Sequence, residues 1–215
     1  SGRFMVDKAI EFIEECGNGK KDSIIAKSDQ EEAIKFFMED LREVREGMTI
    51  LEESPVQSHG SNGKVERGVQ SIEGQVRTMK LGLEERLGMD IDAEERIVHF
   101  LPEYAGYLMN RLEVGKDGKT SYERNKGKKA TVLGIEFGEK LMWKGRQMGP
   151  FLKKLEPKWQ FGIFIGVKRT SGEVLVATED GTVKLARTVR RVPEETRWQV
   201  ANLEWVKHVP WNLGK

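Results

Sequence analysis

Hydrophobic positions in the first 51 residues alternate between helical spacing and short continuous runs. Val6, Ala9, Ile10 and Ile13 predict a helix over residues 4–15 that ends before Gly17. The apolar runs 24–26 and 48–51 predict two strands, the first of them buried on both faces. Between them, Ser28 and Asp29 open a predicted second helix. Its inner face is expected to carry Ala33, Phe36, Phe37, Leu41 and Val44. This alternation indicates an α/β fold.

The strongest periodic pattern follows a loop rich in Ser, Gly and Pro at residues 52–63. Asn62 is a predicted helix cap at the end of that loop. Apolar residues then recur at steps of three and four and predict one stripe over six helical turns. They are Val65, Val69, Ile72, Val76, Met79, Leu83 and Leu87. A further helix is expected over residues 93–112, before the turn of residues 115–118.

After Lys129 the hydrophobic period becomes that of strands. The segments 139–144, 161–168, 174–178 and 183–192 alternate or are β-branched, and an Asp180-Gly181 hairpin turn separates the last two. Short strands this close together predict a small barrel. Trp198, Trp205 and Trp211 follow in a tail too short to fold by itself. Those rings either pack onto the barrel or stack on nucleic acid.

Composition excludes several classes of protein. The chain of 215 residues has one cysteine, Cys16, and three histidines, which excludes an internal disulfide and a zinc finger. No apolar run reaches the roughly 18 to 20 residues of a membrane helix, and acids near the start do not fit a signal peptide. We therefore expect a nuclear or cytoplasmic protein that is neither secreted nor membrane-bound.

Charge is divided unevenly along the chain. Residues 131–215 hold 15 Lys and Arg against 9 Asp and Glu, a balance of +6, whereas residues 1–130 hold 21 against 26, a balance of −5. The positive excess of residues 131–215 indicates either a phosphate-facing surface at the C-terminal end or an ordinary scatter of surface charge.

Asp29 and Glu66 are the candidate catalytic carboxylates. Each has an ordinary interpretation, since Asp29 and Glu32 form a capping-box pattern and Glu66 is typical of a solvated helix face. A helix, a strand and a loop separate them, which lets a strand end and a helix start face each other. Carboxylates that converge there suit Mg²⁺ or Mn²⁺. Two such ions roughly 3.5–4 Å apart can catalyse an in-line phosphoryl displacement.

Four blocks of sequence resemble the integrases of retroviruses and of copia-type LTR retrotransposons. They are KSDQE, SPVQSHGSNGKVERGVQSIEGQVR, YAGYLMNRLEVGKDGKTSYERNKGK and FGEKLMWK, with GIFIGVKRTSG resembling the barrel that follows the core. The resemblance covers about residues 23–192. It implies a partial RNase H-like core over residues 1–129 and a Src-homology-3-like barrel over 130–192, before a tail over 193–215.

The resemblance also implies a site, a cofactor and partners. Asp29 and Glu66 match the second and third acids of an Asp, Asp, Glu metal triad, and Asn62 and Gly63 match the active-site rim. Two Mg²⁺ or Mn²⁺ ions are expected in the intact enzyme. The implied reaction in the parent protein is DNA integration by strand transfer between element ends and target DNA, and self-association is a further expectation.

The chain departs from the family pattern at its start. Only 28 residues precede Asp29, whereas the first acid of the family lies roughly 50 to 60 residues upstream of the second. We expect the first strands of the core and that acid to be absent from these residues, and the chain to be inactive alone. Asp7 falls on a helical pattern and is interpreted as a surface acid. Gln70 and Glu73 stand where viral relatives carry DNA-contacting lysines.

Basic pairs flank the predicted strands of the barrel. They are Lys153 and Lys154, Lys168 and Arg169, and Arg190 and Arg191. These side chains either meet phosphates or are solvated charges that block edge-to-edge pairing of sheets. Two further functions stay open beside the integrase hypothesis: a catalytically inactive relic that binds nucleic acid or protein, and an RNase H-like nuclease.

Overall fold

A computed structural model describes residues 2–53, 59–145 and 157–214, with the backbone alone described for residues 59–62. The fold is mixed α/β, with a two-stranded sheet and a five-stranded antiparallel sheet. It divides into two compact units, residues 1–71 (unit 1) and residues 72–215 (unit 2). None of the helices in the described ranges is both long and apolar enough to cross a membrane.

Unit 1 is built around a parallel strand pair. Its elements are α1 (Gly2–Glu15), β1 (Ile24–Ser28), α2 (Glu32–Val44), β2 (Thr49–Glu53) and the start of α3 (His59–Leu87). β1 and β2 pair in parallel from Ile24 opposite Thr49 to Ser28 opposite Glu53. α2 connects the strands and packs against both of them and against α1. The predicted order of helices and strands is confirmed.

Among the described residues, helices cover only one face of the small sheet. Ile25 in β1 is 65% exposed, so the prediction of a strand buried on both faces is wrong. Phe36, expected on the inner face of α2, is 67% exposed, whereas Leu41 is buried. The reason is geometric: two strands about 5 Å apart cover only a narrow stripe of a helix, and α2 lies on one side of them.

A buried arginine joins the turns that precede the two strands. Arg45 donates to Oγ1 of Thr49 at 3.2 Å and to the carbonyls of Gly19 and Asp22 at 3.1 and 2.6 Å. Gly47 lies beside it, and a Cβ added there would stand 2.4 Å from the Asp22 carbonyl oxygen. These polar contacts fix the starts of β1 and β2, and the hydrophobic pattern does not indicate them.

Unit 2 contains the larger sheet and the helices that pack on it. After α3 come a 3₁₀ helix (Val98–Phe100), α4 (Leu101–Leu112) and α5 (Ser121–Lys126). The strands are β3 (Lys140–Trp143), β4 (Gln160–Val167), β5 (Val174–Ala177), β6 (Val183–Ala186) and β7 (Val189–Arg191), and two 3₁₀ helices (Glu194–Thr196 and Val200–Trp205) follow. The antiparallel order is β6-β5-β4-β3-β7.

One hydrophobic core joins these helices to the sheet. Side chains from α3, α4 and the strands meet in it, among them Leu83, Leu101, Tyr104, Leu141 and Phe164. The compact units thus divide within α3, while the module boundaries predicted at residues 129 and 192 from sequence resemblance stay a prediction. Trp198 and Trp205 pack against this core, which confirms the packing interpretation for two of the tail tryptophans.

Two predicted elements of unit 2 differ clearly in their bounds, and a third element was not predicted. The helix expected from residue 93 begins at Leu101, where Pro102 occupies a first-turn position that suits its missing N–H. The strand expected over residues 183–192 is divided into β6 and β7. The short helix α5 was missed, although Thr120 and Glu123 form a complete capping box and Gly127 ends the helix at φ 67°.

Candidate active site and nucleic-acid interface

Asp29 lies directly after β1, at the carboxyl edge of the parallel pair. Its Oδ1 accepts the backbone N–H of Glu31 at 3.2 Å. α2 begins later, at Glu32, and its N-cap residue Glu31 makes no side-chain capping bond. The predicted capping role of Asp29 is therefore wrong, because its side chain closes a local turn instead. Among the described residues Oδ2 of this half-buried carboxylate has no partner, which leaves it able to bind a ligand.

Glu66 is the eighth residue of α3, and its side chain is exposed. Within the described part of the chain it forms no ion pair. β2 ends at Glu53 and α3 begins at His59, so the helix starts within about 20 Å of the sheet edge that carries Asp29. The close approach of the Asp29 and Glu66 carboxylates stays a prediction.

The predicted active-site rim lies inside α3. Because the helix begins at His59, Asn62 is its fourth residue and the prediction that Asn62 caps the helix is wrong. The side chain of Asn62 and the loop 54–58 lie outside the described residues. Gly63 follows within the helix. The rim role of both residues stays a prediction.

The predicted pair of ligands has the chemistry that suits a hard divalent cation. Asp29 and Glu66 offer carboxylate oxygens, the ligands that Mg²⁺ and Mn²⁺ prefer. Across residues 2–53, 59–145 and 157–214, no three His, Cys, Asp or Glu side chains are grouped to hold a metal. Asp7 does not complete the pair, since it lies on α1 and its Oδ1 pairs with Arg3 at 2.9 Å. That confirms its interpretation as a surface acid.

The basic residues predicted to meet DNA differ in what they contact. Lys168 is exposed at the end of β4, and Arg169 beside it is half-buried. The Arg190 guanidinium lies 4.5 Å from the centre of the Trp159 ring. Arg191 donates through two nitrogens to the fully buried carboxylate of Glu139, both at 2.6 Å. Lys153 and Lys154 lie outside the described residues. DNA contact by any of these side chains stays a prediction.

The Glu139 ion pair explains why Arg191 is held against the sheet. Glu139 is completely buried, and a third contact reaches Arg197 at 3.4 Å. The hydrogen bonds to Glu139 raise the pKa of Arg191. A guanidinium that neutralises a buried carboxylate has less capacity for phosphate, so Lys168 and Arg190 are better placed than Arg191 to contact a polyanion.

Aromatic and cationic side chains alternate on one face of the larger sheet. The Lys140 ammonium lies 5.0 Å from the centre of the Phe161 ring and 5.4 Å from that of Trp205. Met142 stands opposite both Phe161 and Arg190 in the strand register, which places these three on the same face. Phe161 is exposed. Sequence reasoning missed this face, because it depends on the pairing of strands that lie far apart in the chain.

A second basic segment lies between α4 and the sheet. Residues 111–129 hold seven Lys and Arg against three Asp and Glu, a balance of +4. Five of its lysines are exposed: Lys116, Lys119, Lys126, Lys128 and Lys129. Arg111 lies against the rings of Tyr107 and Tyr122, at 3.7 and 4.8 Å. The net charge of −5 over residues 1–130 conceals this segment, because that range also includes the acidic residues before it.

Comparisons with known proteins find structural likeness without a sequence-level match. No protein-family model matches the chain, and no curated protein matches it. Among solved structures, the chain is similar to one in the cryo-electron-microscopy structure of the simian T-cell lymphotropic virus intasome in complex with PP2A regulatory subunit B56 gamma. The TM-score is 0.37 and the sequence identity 11%, over 90% of this chain and 65% of that chain.

Proposed function

We propose that the chain is part of a retroelement integrase, with a partial RNase H-like core followed by a Src-homology-3-like barrel. The observation that carries this proposal is the arrangement of unit 1. Asp29 directly follows β1, a parallel strand β2 comes next, and a long helix then presents Glu66. Those two acids stand in the sequence blocks that resemble the integrase core.

The proposed reaction is phosphodiester strand transfer on DNA. A divalent cation bound by Asp29 and Glu66 would supply charge neutralisation at the reacting phosphate. In the proposed site, Asp29 lies at the strand end, where its Oδ1 accepts the Glu31 N–H and its Oδ2 would bind the cation. Glu66 is held by a helix, an element that positions a side chain more rigidly than a loop does.

The proposed DNA-holding surface lies on unit 2. This unit has 26 Lys and Arg against 20 Asp and Glu, a balance of +6. The exposed lysines of residues 111–129 and the side chains of Lys140, Lys168 and Arg190 provide cations for phosphates, and Phe161 provides an exposed ring. Because such binding releases counterions from DNA, the logarithm of the binding constant should fall linearly with the logarithm of the salt concentration.

Metal binding at the two acids is tested by Mn²⁺ titration of the ¹⁵N-labelled chain. Mn²⁺ should broaden the amide signals of residues 28–31 and 64–68 together, because one ion then lies near both. Asp29→Asn and Glu66→Gln should each reduce the broadening at both segments. The matched controls Asp7→Asn and Glu73→Gln should leave it unchanged. Broadening at only one segment, or broadening lost with Asp7→Asn, contradicts the proposed site.

A catalytically inactive nucleic-acid binder is the second candidate function. It is favoured by the observation that no three metal-ligating side chains are grouped among the described residues. The two candidates are separated by incubating the chain with a labelled DNA duplex and Mn²⁺, and measuring cleaved and joined products beside DNA binding. Products that Glu66→Gln abolishes support the integrase. Because an integrase fragment is also expected to be inactive alone, salt-sensitive binding without products supports the binder only when Mn²⁺ also fails to broaden residues 28–31 and 64–68.

A further inference from the structure

An open groove in unit 2 is lined by none of the residues of the candidate active site or of the basic surfaces. Its volume is about 700 Å³, and it lies between residues 89–96 and the 3₁₀ helix Val200–Trp205. Sites that hold small ligands or peptide side chains have volumes of roughly 300–1,000 Å³. The groove therefore has room for a few side chains of a bound segment.

The groove is apolar at its base and at two points of its edge. Ile91 and Val206 line it as buried residues of the unit. Met89 and Val200 also line it, and they are 39% and 46% exposed. Exposed apolar side chains beside a buried apolar base can make dispersion contacts with an apolar ligand and exclude water from it.

The rim of the groove is acidic. Five carboxylates line the groove with one cation, Arg96, which gives a local balance of −4. The acids are Asp90, Asp92, Glu94, Glu95 and Glu204. All five are exposed, and none forms an ion pair within the described ranges. A carboxylate rim without internal counterions, on a unit that is otherwise basic, favours a cationic partner.

The first wall of the groove is fixed before any partner binds. Gly88 ends α3 at φ 68° and turns the chain into this wall. Glu84 then accepts the backbone N–H of Ile91 at 2.8 Å, while its carboxylate also pairs with Lys80. Asp92 accepts the N–H of Glu94 at 2.8 Å in a second local turn. A wall that is already ordered lowers the entropic cost of binding.

We propose that this groove binds a basic amphipathic segment of a partner protein. Apolar side chains of the segment would lie against Met89, Ile91 and Val200, and its Lys or Arg side chains would reach the carboxylate rim. DNA or RNA does not fit, because phosphates would meet five carboxylates. A bare metal ion does not fit either, since much of the lining is apolar and the described residues include no group of three metal ligands.

The proposal is tested on the full chain by fluorescence anisotropy with a labelled 14-residue peptide. The peptide has Leu at positions i, i+3, i+4 and i+7 and Lys at most other positions, and a scrambled peptide of the same composition is the control. Asp90→Asn, Glu94→Gln and Glu204→Gln together should weaken binding by about tenfold in 50 mM salt. Val200→Asp should weaken it by a similar factor. A triple variant of exposed acids elsewhere in unit 2, Glu113→Gln, Glu179→Gln and Glu195→Gln, should change it less than about twofold.

Each outcome decides the proposal. Weaker binding by the groove variants, with the native Tm retained and with the patterned peptide preferred, supports it. Equal weakening by both triple variants, or equal binding of the scrambled peptide, overturns it in favour of general attraction between opposite charges. A concentration-dependent dimer that the groove triple variant dissociates overturns it in favour of a second copy of this chain. Peptide binding that Val200→Asp leaves unaffected also overturns it.

Discussion

Units 1 and 2 have similar kinds of elements but bury their apolar side chains to different extents. Unit 2 encloses a continuous core in which Leu101, Leu141 and Phe164 are fully buried. Unit 1 buries Val6 and Leu41, while eight large apolar side chains among its described residues are exposed. These are Met5, Phe12, Ile25, Phe36, Met48, Ile50, Val65 and Val69. The difference follows from the sheets, since five strands can carry helices over a wide face and two strands cannot.

Polar contacts also serve different purposes in the two units. In unit 1, Arg45 ties the turns before the strands through backbone carbonyls and a hydroxyl. In unit 2, Glu139 is a buried charge that is neutralised by Arg191 and Arg197. The first arrangement orders a small sheet that has little core. The second joins β7 and the start of the tail to a core that is already formed.

The largest expected effect comes from removing a core ring of unit 2. Phe164→Ala should lower the free energy of unfolding by about 3–5 kcal/mol, because it loses buried area and leaves a cavity. All five tryptophans lie in unit 2, so tryptophan fluorescence during urea unfolding reports on it directly. The control Phe36→Ala, at an exposed ring of unit 1, should change the same transition by less than about 0.5 kcal/mol. Equal effects would contradict the contrast between the units.

The next effect concerns the buried carboxylate of unit 2. Glu139→Gln keeps the side-chain volume but leaves Arg191 and Arg197 without their buried counter-charge. We expect a loss of about 3 kcal/mol in urea unfolding, since breaking one side of a buried ion pair is costly. Glu136→Gln is the matched control, because Glu136 meets Arg86 and Arg191 at the surface. That change should cost less than about 1 kcal/mol. A smaller loss for Glu139→Gln than for Glu136→Gln would show that the buried pair does not stabilise the sheet.

A smaller effect should be confined to unit 1. Gly47→Ala places a methyl group against the Asp22 carbonyl and should lower the protection of β1 and β2 amides by about 2 kcal/mol in hydrogen exchange. The tryptophan transition of unit 2 should stay unchanged. Gly68→Ala is the control within the same unit, since an added Cβ there meets no atom within 4 Å. Loss of protection with both variants would contradict the close approach at Gly47.

The smallest expected effect depends on pH at the β5–β6 turn. Hydrogen bonds from Thr178 and Thr182 lower the pKa of Asp180 from 3.8 to about 2. A lowered carboxyl pKa stabilises the fold above pH 3.8, and the contribution is lost as the pH falls towards 2. Asp180→Asn should therefore lower the Tm at pH 6, and the difference from the native chain should shrink between pH 4 and pH 2. Glu179→Gln, at the neighbouring exposed acid, should show no such convergence. A difference that stays constant with pH would rule out the charge of Asp180 as its cause.

Local patterns in the sequence determined which elements form and in which order. The stripe from Val65 to Leu87 indicated α3, and Asp180-Gly181 indicated the turn between β5 and β6, where Gly181 has φ 84°. Helical spacing around Asp7 identified it as a surface acid. These features depend on residues within a few positions of one another, so the chain encodes them without reference to distant contacts.

Tertiary contacts alone decided which faces are covered and what each candidate side chain meets. Arg191 is held by Glu139, which lies 52 positions away in the chain, so its partner could not be read from its neighbours. The cationic and aromatic face depends on strand register, and the acidic groove depends on segments more than 100 residues apart. The bare face of β1 has the same origin, because a run such as residues 24–26 fits a strand whether one face or both are covered. Whether a residue is buried depends on what packs against it, whereas the hydrophobic periodicity of the chain indicates only which residues can be buried.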